Sequence, residues 1–534
     1  MHPFSRSRGI AALALLSAAP ASASSVLEYP DLGAVQLGRG GAWLAYANDA
    51  SATFFNPAAL ARLGDSVSLS VNMNMHNACF TRRKATSDKS DENDNPKPGA
   101  AYPQICADAT PLPIPALGAS FRLAPGLVLG VAVVAPNGNP KESWPEFVSK
   151  ATMGPSRYLL TSQNNVIAFP TIGLGWQVTP DIAIGGAFTW GIGRFEMATT
   201  AMALNADNRE PGNDVRATVT ASSWFVPGGN VSVLATPTPW LDVAAWLRAS
   251  APINAKGDVA SDANYYTPQV ASGNLSGVVK GDSSLANCGD ASRTDTPCGG
   301  GNNVTVKLAL PVEARIAFRI HDARKLSALT NFDPLRDEPY DLELDLTYAQ
   351  NSVIDTIQVR FPGDSSGRGL VTPPGLAGGS IPPNADLAKH FKDVYGVRIG
   401  GDYVVIPSVL AVRGGLFAES NAQSPQYQNI DFMGKSRFGM AAGLTYRAPV
   451  GEKGLDLSVA YMHLFVKDAV NDDPNSPGVS ALAGTPCNPA TSTPQYTGLC
   501  GTSGNPVYRS NWPVNLGRIV QSVNSLALSA AYRW

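Results

Sequence analysis

At 534 residues the chain exceeds the usual single-domain length, yet it holds 51 glycines, 42 prolines and only 15% charged residues at a mean hydropathy of -0.04. That balance is too polar for a helical membrane protein and too poor in charge for an ordinary soluble one, whereas β-barrels often run past the domain-length prior as one unit. A net charge of -2 gives no support to a nucleic-acid partner.

Residues 1–23 read as a signal peptide. Arg6 and Arg8 precede the apolar run IAALALLSAA, and ASA places small residues where a signal peptidase reads, so cleavage is expected after Ala23. The run falls short of the about 20 apolar residues a membrane helix needs. Residues 24–64 follow as a Gly/Ala-rich segment too short for a core of its own. Such a segment is expected inside a barrel or against its periplasmic mouth. At its centre lies DASATFFNPAALARLG, where Asn56 is expected to cap a helix that Pro57 starts and Ala58, Ala59 and Leu60 continue.

Period-two patterning then takes over. DSVSLSVNMNM alternates Val67, Leu69, Val71, Met73 and Met75 against serines and asparagines, and DLELDLTY alternates Leu342, Leu344 and Leu346 against Asp341, Glu343 and Asp345. EARIAFRI, KDVYGVRIGGDYVV and SRFGMAAGLTYR repeat the scheme. LGASFRLAPGLVLGVAVVAP has the length of a membrane helix, but Arg122 lies within it and Ala124-Pro125-Gly126 breaks it into two strands around a turn. Fourteen strands are expected, near residues 65–75, 114–123, 127–135, 164–177, 182–197, 222–236, 240–256, 303–320, 340–361, 391–405, 408–419, 435–448, 455–468 and 521–534. Short links such as APG, TPD and VIPS alternate with long ones at 76–113, 257–302 and 469–520. Short turns on one side and long loops on the other predict an all-β fold: a transmembrane antiparallel 14-stranded barrel over residues 65–534 in the outer membrane, with the hatch inside.

The six cysteines form three sequence-local pairs, Cys79 with Cys106, Cys288 with Cys298 and Cys487 with Cys500, all in the long loops of this reading. In an exported protein they predict disulfides. Zinc is the alternative, but no pair has Cys-x-x-Cys spacing and His76 is the one histidine near them. The last strand, NSLALSAAYRW, ends on Trp534 and resembles the signal by which the barrel assembly machinery recognises its substrates.

LGRGGAWLAYANDASATFFNPAALARL, VAPNG after the third strand, SRYLLTSQNNVIAFPTIGLGWQVTPDIAIGGAFTW, LTYAQNS, FKDVYGVRIGGDYVV with LAVRGGLF, and the terminal strand together resemble the FadL family of outer-membrane transporters of long-chain fatty acids and other hydrophobic compounds. The resemblance implies passive uptake by a monomer without metal or cofactor. Ligand is captured at the outer loops, passes a hatch whose Asn56-Pro57-Ala58 segment lies near the site, and leaves sideways into outer-membrane lipid where the third strand kinks. Residues 126–136 are the expected place of that opening, with Gly130 and Pro136 weakening the pairing. Phe54 and Phe55 either line the ligand path or glue the hatch to the wall. Inward charges either form a salt-bridge lattice or lend an arginine to a substrate carboxylate, the candidates being Arg157, Arg315, Arg398 and Arg437. GDSSG at 363–367 matches a nucleophile pattern but opens a loop instead of a helix. A general porin for polar solutes, and an outer-membrane hydrolase or surface-binding protein, are the alternatives.

Overall fold

The computed structural model describes residues 32–86, 96–136, 141–149, 152–201, 215–262, 304–322, 333–361, 384–431, 434–451, 454–474, 476 and 513–534. The signal peptide, Cys288, Cys298, Cys487, Cys500 and the GDSSG segment lie outside them.

Among the described residues fourteen antiparallel strands close into a barrel. They are β1 (Ser66–Arg82), β2 (Leu112–Ala124), β3 (Leu127–Val134), β4 (Leu160–Thr179), β5 (Ile182–Ala201) and β6 (Val215–Thr238). Four strands come in two pieces: β7 (Leu241–Ser250 and Ile253–Asp262), β8 (Val304–Leu308 and Glu313–His321), β9 (Asp341–Ala349 and Thr356–Arg360) and β10 (Asn384–Ala388 and Val394–Ile406). The circuit ends with β11 (Leu410–Glu419), β12 (Arg437–Ala448), β13 (Leu455–Val466) and β14 (Gly517–Arg533). Each strand pairs with its sequence neighbours, and β14 returns to β1 over the register from Ser66 opposite Arg533 to Arg82 opposite Gly517. Closure leaves the terminal strand no free edge. Trp534 donates its backbone N–H to the Asp65 carbonyl at 3.1 Å and sets its ring against Tyr532.

The alternation read from the sequence is the alternation of the wall. Leu342 and Leu346 stand outside, 56% and 43% exposed, while Glu343 and Asp345 are fully buried toward the lumen. Ile316, Phe318 and Ile320 of β8 and Phe438, Met440, Leu444 and Tyr446 of β12 likewise face out. At the short-turn end an outward belt of Trp176, Trp240, Tyr340, Tyr403, Tyr446 and Trp534 marks the level of a membrane interface. No helix among the described residues is long and apolar enough to cross a membrane.

Several strands outrun their expected ends, because they continue beyond the about ten residues a bilayer requires. β1 reaches Arg82 and β6 begins at Val215. Cys79 therefore lies within β1 and not in a loop. A two-residue strand, Ile105–Cys106, pairs with it, so that the Cys79–Cys106 disulfide staples two strands above the membrane.

Candidate functional site

The hatch, described from Leu32 onward, crosses the lumen from one wall to the other. Its first turn, α1 (Ala34–Gly38), is tied to β1 and β14: Gly33 donates to Asn72 Oδ1 at 2.8 Å and Ala34 to Ser529 Oγ at 2.8 Å. Next comes Arg39, fully buried. Its Nη2 meets Asp341 at 2.6 Å and Glu343 at 3.1 Å, its Nη1 meets Asp402 at 2.8 Å, and its Nε donates to the Ala42 carbonyl at 2.7 Å. Glu343 also accepts from the backbone of Ala45 at 2.6 Å and Tyr46 at 3.2 Å, and Asp345 accepts from Trp43 and Leu44 at 3.3 Å. The charged face of β9 is thus the socket in which the hatch backbone finds its acceptors.

The Asn-Pro-Ala stretch follows α2 (Ala52–Phe55) as a 3-10 turn, Pro57–Arg62. Pro57 opens that turn and Asn56 is its N-cap residue, as expected, but the Asn56 side chain makes no capping bond. Its Nδ2 donates instead to the Leu44 carbonyl at 2.6 Å, a bond inside the hatch. Ala58 donates to Ser232 Oγ of β6 at 2.8 Å, and Arg62 pairs with Asp242 at 3.1 Å. Pro57 is buried, with its peptide lying against Gly175 of β4 and Gly185 of β5.

Those glycines explain much of the composition. A methyl group at Gly185 would overlap the backbone of Pro57 and Ala58, one at Gly175 the Pro57 carbonyl, and one at Gly400 or Gly415 the backbone of Arg39. Inward positions stripped of side chains form the groove that admits hatch backbone. Gly130 does the same for hatch side chains, since a Cβ there would overlap Thr53 Oγ1 and sit 2.7 Å from Leu60 Cδ1. It also keeps partners on both sides, Ser120 on β2 and Gly173 on β4.

A break in the pairing of the described residues lies farther up. The β3–β4 ladder ends at Val134 opposite Phe169, just before Ala135 and Pro136, and resumes at Glu142 opposite Gln163. On the other flank β2 pairs with β3 only from Leu117, and pairing resumes where Thr110 meets Lys141. Residues 112–116 of β2 and 164–168 of β4 therefore have no ladder partner on the β3 side among the described residues. Pro113 and Pro115 occupy that edge, where the N–H that proline lacks is not missed. These two prolines, spaced by two, are the signal in the sequence that placed the break, and the expected second strand, starting at 114, passed over it.

Facing the break from inside is a column on β4: Gln163 and Asn165 above, Ile167 and Phe169 below, all buried. Phe169 lies 5.6 Å from Phe54, which meets Phe55 edge-on at 5.0 Å, and Phe55 meets Trp43 at 6.1 Å. Arg248 stacks over Phe54 at 4.8 Å and pairs with Glu313 at 2.8 Å. Phe54 thus joins the hatch to the wall directly beneath the break.

The four candidate arginines do not converge. Arg398 pairs with Glu419 at 2.8 Å and donates to the Gly40 carbonyl at 3.2 Å, while Arg437 holds the other oxygen of Glu419. Arg315 lies over Trp246 at 5.5 Å, and Arg157 over Tyr158 at 4.5 Å in the segment entering β4. Arg398 and Arg437 serve the lattice. The residue that sequence reasoning missed is Arg39, whose partners lie more than 300 positions away.

A closed, outward-apolar barrel that is plugged by its own N-terminal segment defines a hatch-plugged outer-membrane channel. The family described as outer membrane protein transport protein (OMPP1/FadL/TodX) matches residues 13–490, and the chain belongs to it. Its fold is similar to the crystal structure of a Pseudomonas aeruginosa FadL homologue, with TM-score 0.64 at 14% identity over 95% of this chain and 99% of that one. The Ralstonia pickettii toluene transporter TbuX aligns with TM-score 0.52 at 13% identity, and the P. putida toluene transporter TodX with TM-score 0.52 at 11%, each over 95% of this chain and 99% of the other. No curated protein matches the sequence. The family is one of transport proteins and not of enzymes.

Proposed function

We propose that the chain carries hydrophobic small molecules passively across the outer membrane: capture among the outer loops, passage beside the hatch near Phe54, Phe55 and Asn56-Pro57-Ala58, and exit sideways through the break in β3. The observation that carries this reading is that β3 leaves its ladder after Val134, at Ala135 and Pro136, beside the Ile167–Phe169 part of the column and directly above Phe54. Unpaired backbone at membrane depth is tolerable only where it lines a cavity. Once there, an alkyl or aryl ligand gains about 0.8 kcal/mol per CH₂ transferred from water to lipid, so release into the bilayer needs no energy source. The toluene transport of two structural neighbours and the membership in the FadL family both support a hydrophobic cargo. A general porin would need an open lumen, and the hatch occupies this one.

The test is uptake of labelled toluene and labelled oleate by cells expressing the full chain, together with planar-bilayer conductance of the purified protein. Uptake of either compound above the background of cells lacking the chain, with little steady conductance, is the expected outcome. Large steady conductance, or no uptake of either compound, would overturn the reading.

A further inference from the structure

The rim of the break carries a polar cluster that neither the hatch lattice nor the transport reading uses. Glu142 stands where β3 pairing resumes, and its Oε2 meets His76 Nδ1 of β1 at 3.2 Å and Gln163 Nε2 of β4 at 3.2 Å. Gln163 Oε1 accepts from Asn165 Nδ2 at 3.5 Å, a contact that fixes which way the Asn165 amide points because Gln163 Nε2 donates to Glu142 and to the Asp431 carbonyl, and Asn74 Oδ1 meets Ser525 Oγ at 2.7 Å. His76 and Asn165 are 7% exposed, Glu142 and Asn74 2%. Each nevertheless keeps a buried polar atom with no hydrogen-bond partner: His76 Nε2, Glu142 Oε1, Asn165 Oδ1 and Asn74 Nδ2. Four such atoms in one cluster are unusual, because buried polar groups are nearly always satisfied.

The open atoms specify their partner. With His76 as a neutral imidazole donating from Nδ1 to the carboxylate, Nε2 is an acceptor, so the set offers three acceptors together with the amide of Asn74. A ligand group that both donates and accepts fits it, whereas a carboxylate would bring a second negative charge against Glu142 with nothing to donate. Directly below, Ile167 and Phe169 offer apolar surface. We propose that His76, Glu142, Asn165 and Asn74 form a binding site for the neutral hydroxyl head of a hydrophobic molecule, a phenol or an alcohol, whose apolar body lies along Ile167 and Phe169. The proposal deepens the transport reading and rests on it: the site selects hydroxylated cargo at the exit.

The full chain in lipid nanodiscs is tested by equilibrium binding of tritiated 4-hexylphenol, hexylbenzene and 4-hexylbenzoate, with empty nanodiscs as background. Hexylphenol is expected to bind roughly 10-fold more tightly than hexylbenzene, the worth of one or two net hydrogen bonds, and hexylbenzoate most weakly. Asn165→Leu should erase the difference between hexylphenol and hexylbenzene, with retained hexylbenzene binding reporting an intact site. Glu142→Gln should strengthen hexylbenzoate. Equal binding of phenol and hydrocarbon by the unaltered chain, as when trapped water satisfies these atoms, would overturn the proposal and leave the transport reading standing. Tightest binding of the benzoate, or a phenol preference that survives both substitutions, would also overturn it. Binding of none of the three above background would sink both readings.

Discussion

Arg39→Met removes the one hatch side chain that engages three wall carboxylates at once. Asp341 retains Arg319 Nε at 2.8 Å and Asp402 retains Arg413 at 3.1 Å, while Glu343 loses the guanidinium and keeps the backbone donors of Ala45 and Tyr46. Breaking a buried ion pair from one side costs about 3–5 kcal/mol, and the two retained arginines place this case near about 3. That cost falls on hatch docking and not on the barrel, whose fourteen strands are held by their own ladders. Every 1.4 kcal/mol is tenfold, so the undocked population should rise by about two orders of magnitude. The assay is twofold: single-channel conductance in planar bilayers, and protease sensitivity of residues 32–64 in detergent, with retained heat-modifiable migration as the control for an intact barrel. Openings should become frequent and the hatch cleavable. A variant as silent and as protected as the original would refute the view that β9 is the socket of the hatch.

The remaining predictions concern the groove, the staple and one outer-loop lysine. Gly185→Val sets a side chain into the backbone of Pro57 and Ala58, which cannot rotate away; hatch undocking costing about 1–3 kcal/mol should appear as raised conductance and cleavage near residue 57. Replacing Cys79 and Cys106 by serine opens a staple across a separation of 27 residues. The chain-entropy relation values that closure at up to about 3.5 kcal/mol. Faster amide exchange at 105–110 with unchanged exchange in β11–β13 is expected. Burial pushes the Lys435 ammonium down to about 8, helped by the charge of Lys467, and its Nζ donates to the Gln423 carbonyl at 3.1 Å. A lowered lysine penalises the charged folded form, so the penalty is full below pH 8 and fades as pH rises toward the unfolded value of about 10.4. The loop between β11 and β12 should therefore gain protease resistance over that range, and Lys435→Met should abolish the dependence.

The barrel was legible because its causes are local. Leucines at 342, 344 and 346 between carboxylates at 341, 343 and 345 state two faces, whichever strand lies beside them. Turn residues such as Ala124-Pro125-Gly126 add the ends, and Gly126 takes the positive φ of 75° that the turn needs. What escaped was everything fixed by distant pairs. Arg39 sits in a run, LGRGG, with nothing nearby to pair with, and its role exists only once β9 and β10 are in place. Gly130 reads alone as a weak point in a strand, whereas its missing side chain makes room for Leu60 across the lumen. Arg398 and Arg437 read as possible anion ligands until Glu419 is seen between them. Cys79 reads as a loop residue because nothing in the sequence marks where a strand leaves the membrane and continues into solvent.

The seam between β1 and β14 also dictates an order of events. Its partners are far apart along the chain, Ser66 opposite Arg533, so the seam forms after every intervening strand has found a neighbour. The hatch stands immediately ahead of β1, and its first bonds, Gly33 to Asn72 and Ala34 to Ser529, straddle that same seam. The segment that precedes every strand is therefore expected to be among the last to be seated. Until then Glu343 and Asp345 face the lumen without their hatch partners, and the arrival of Arg39 and the hatch amides both satisfies the acceptors of the wall and closes the channel.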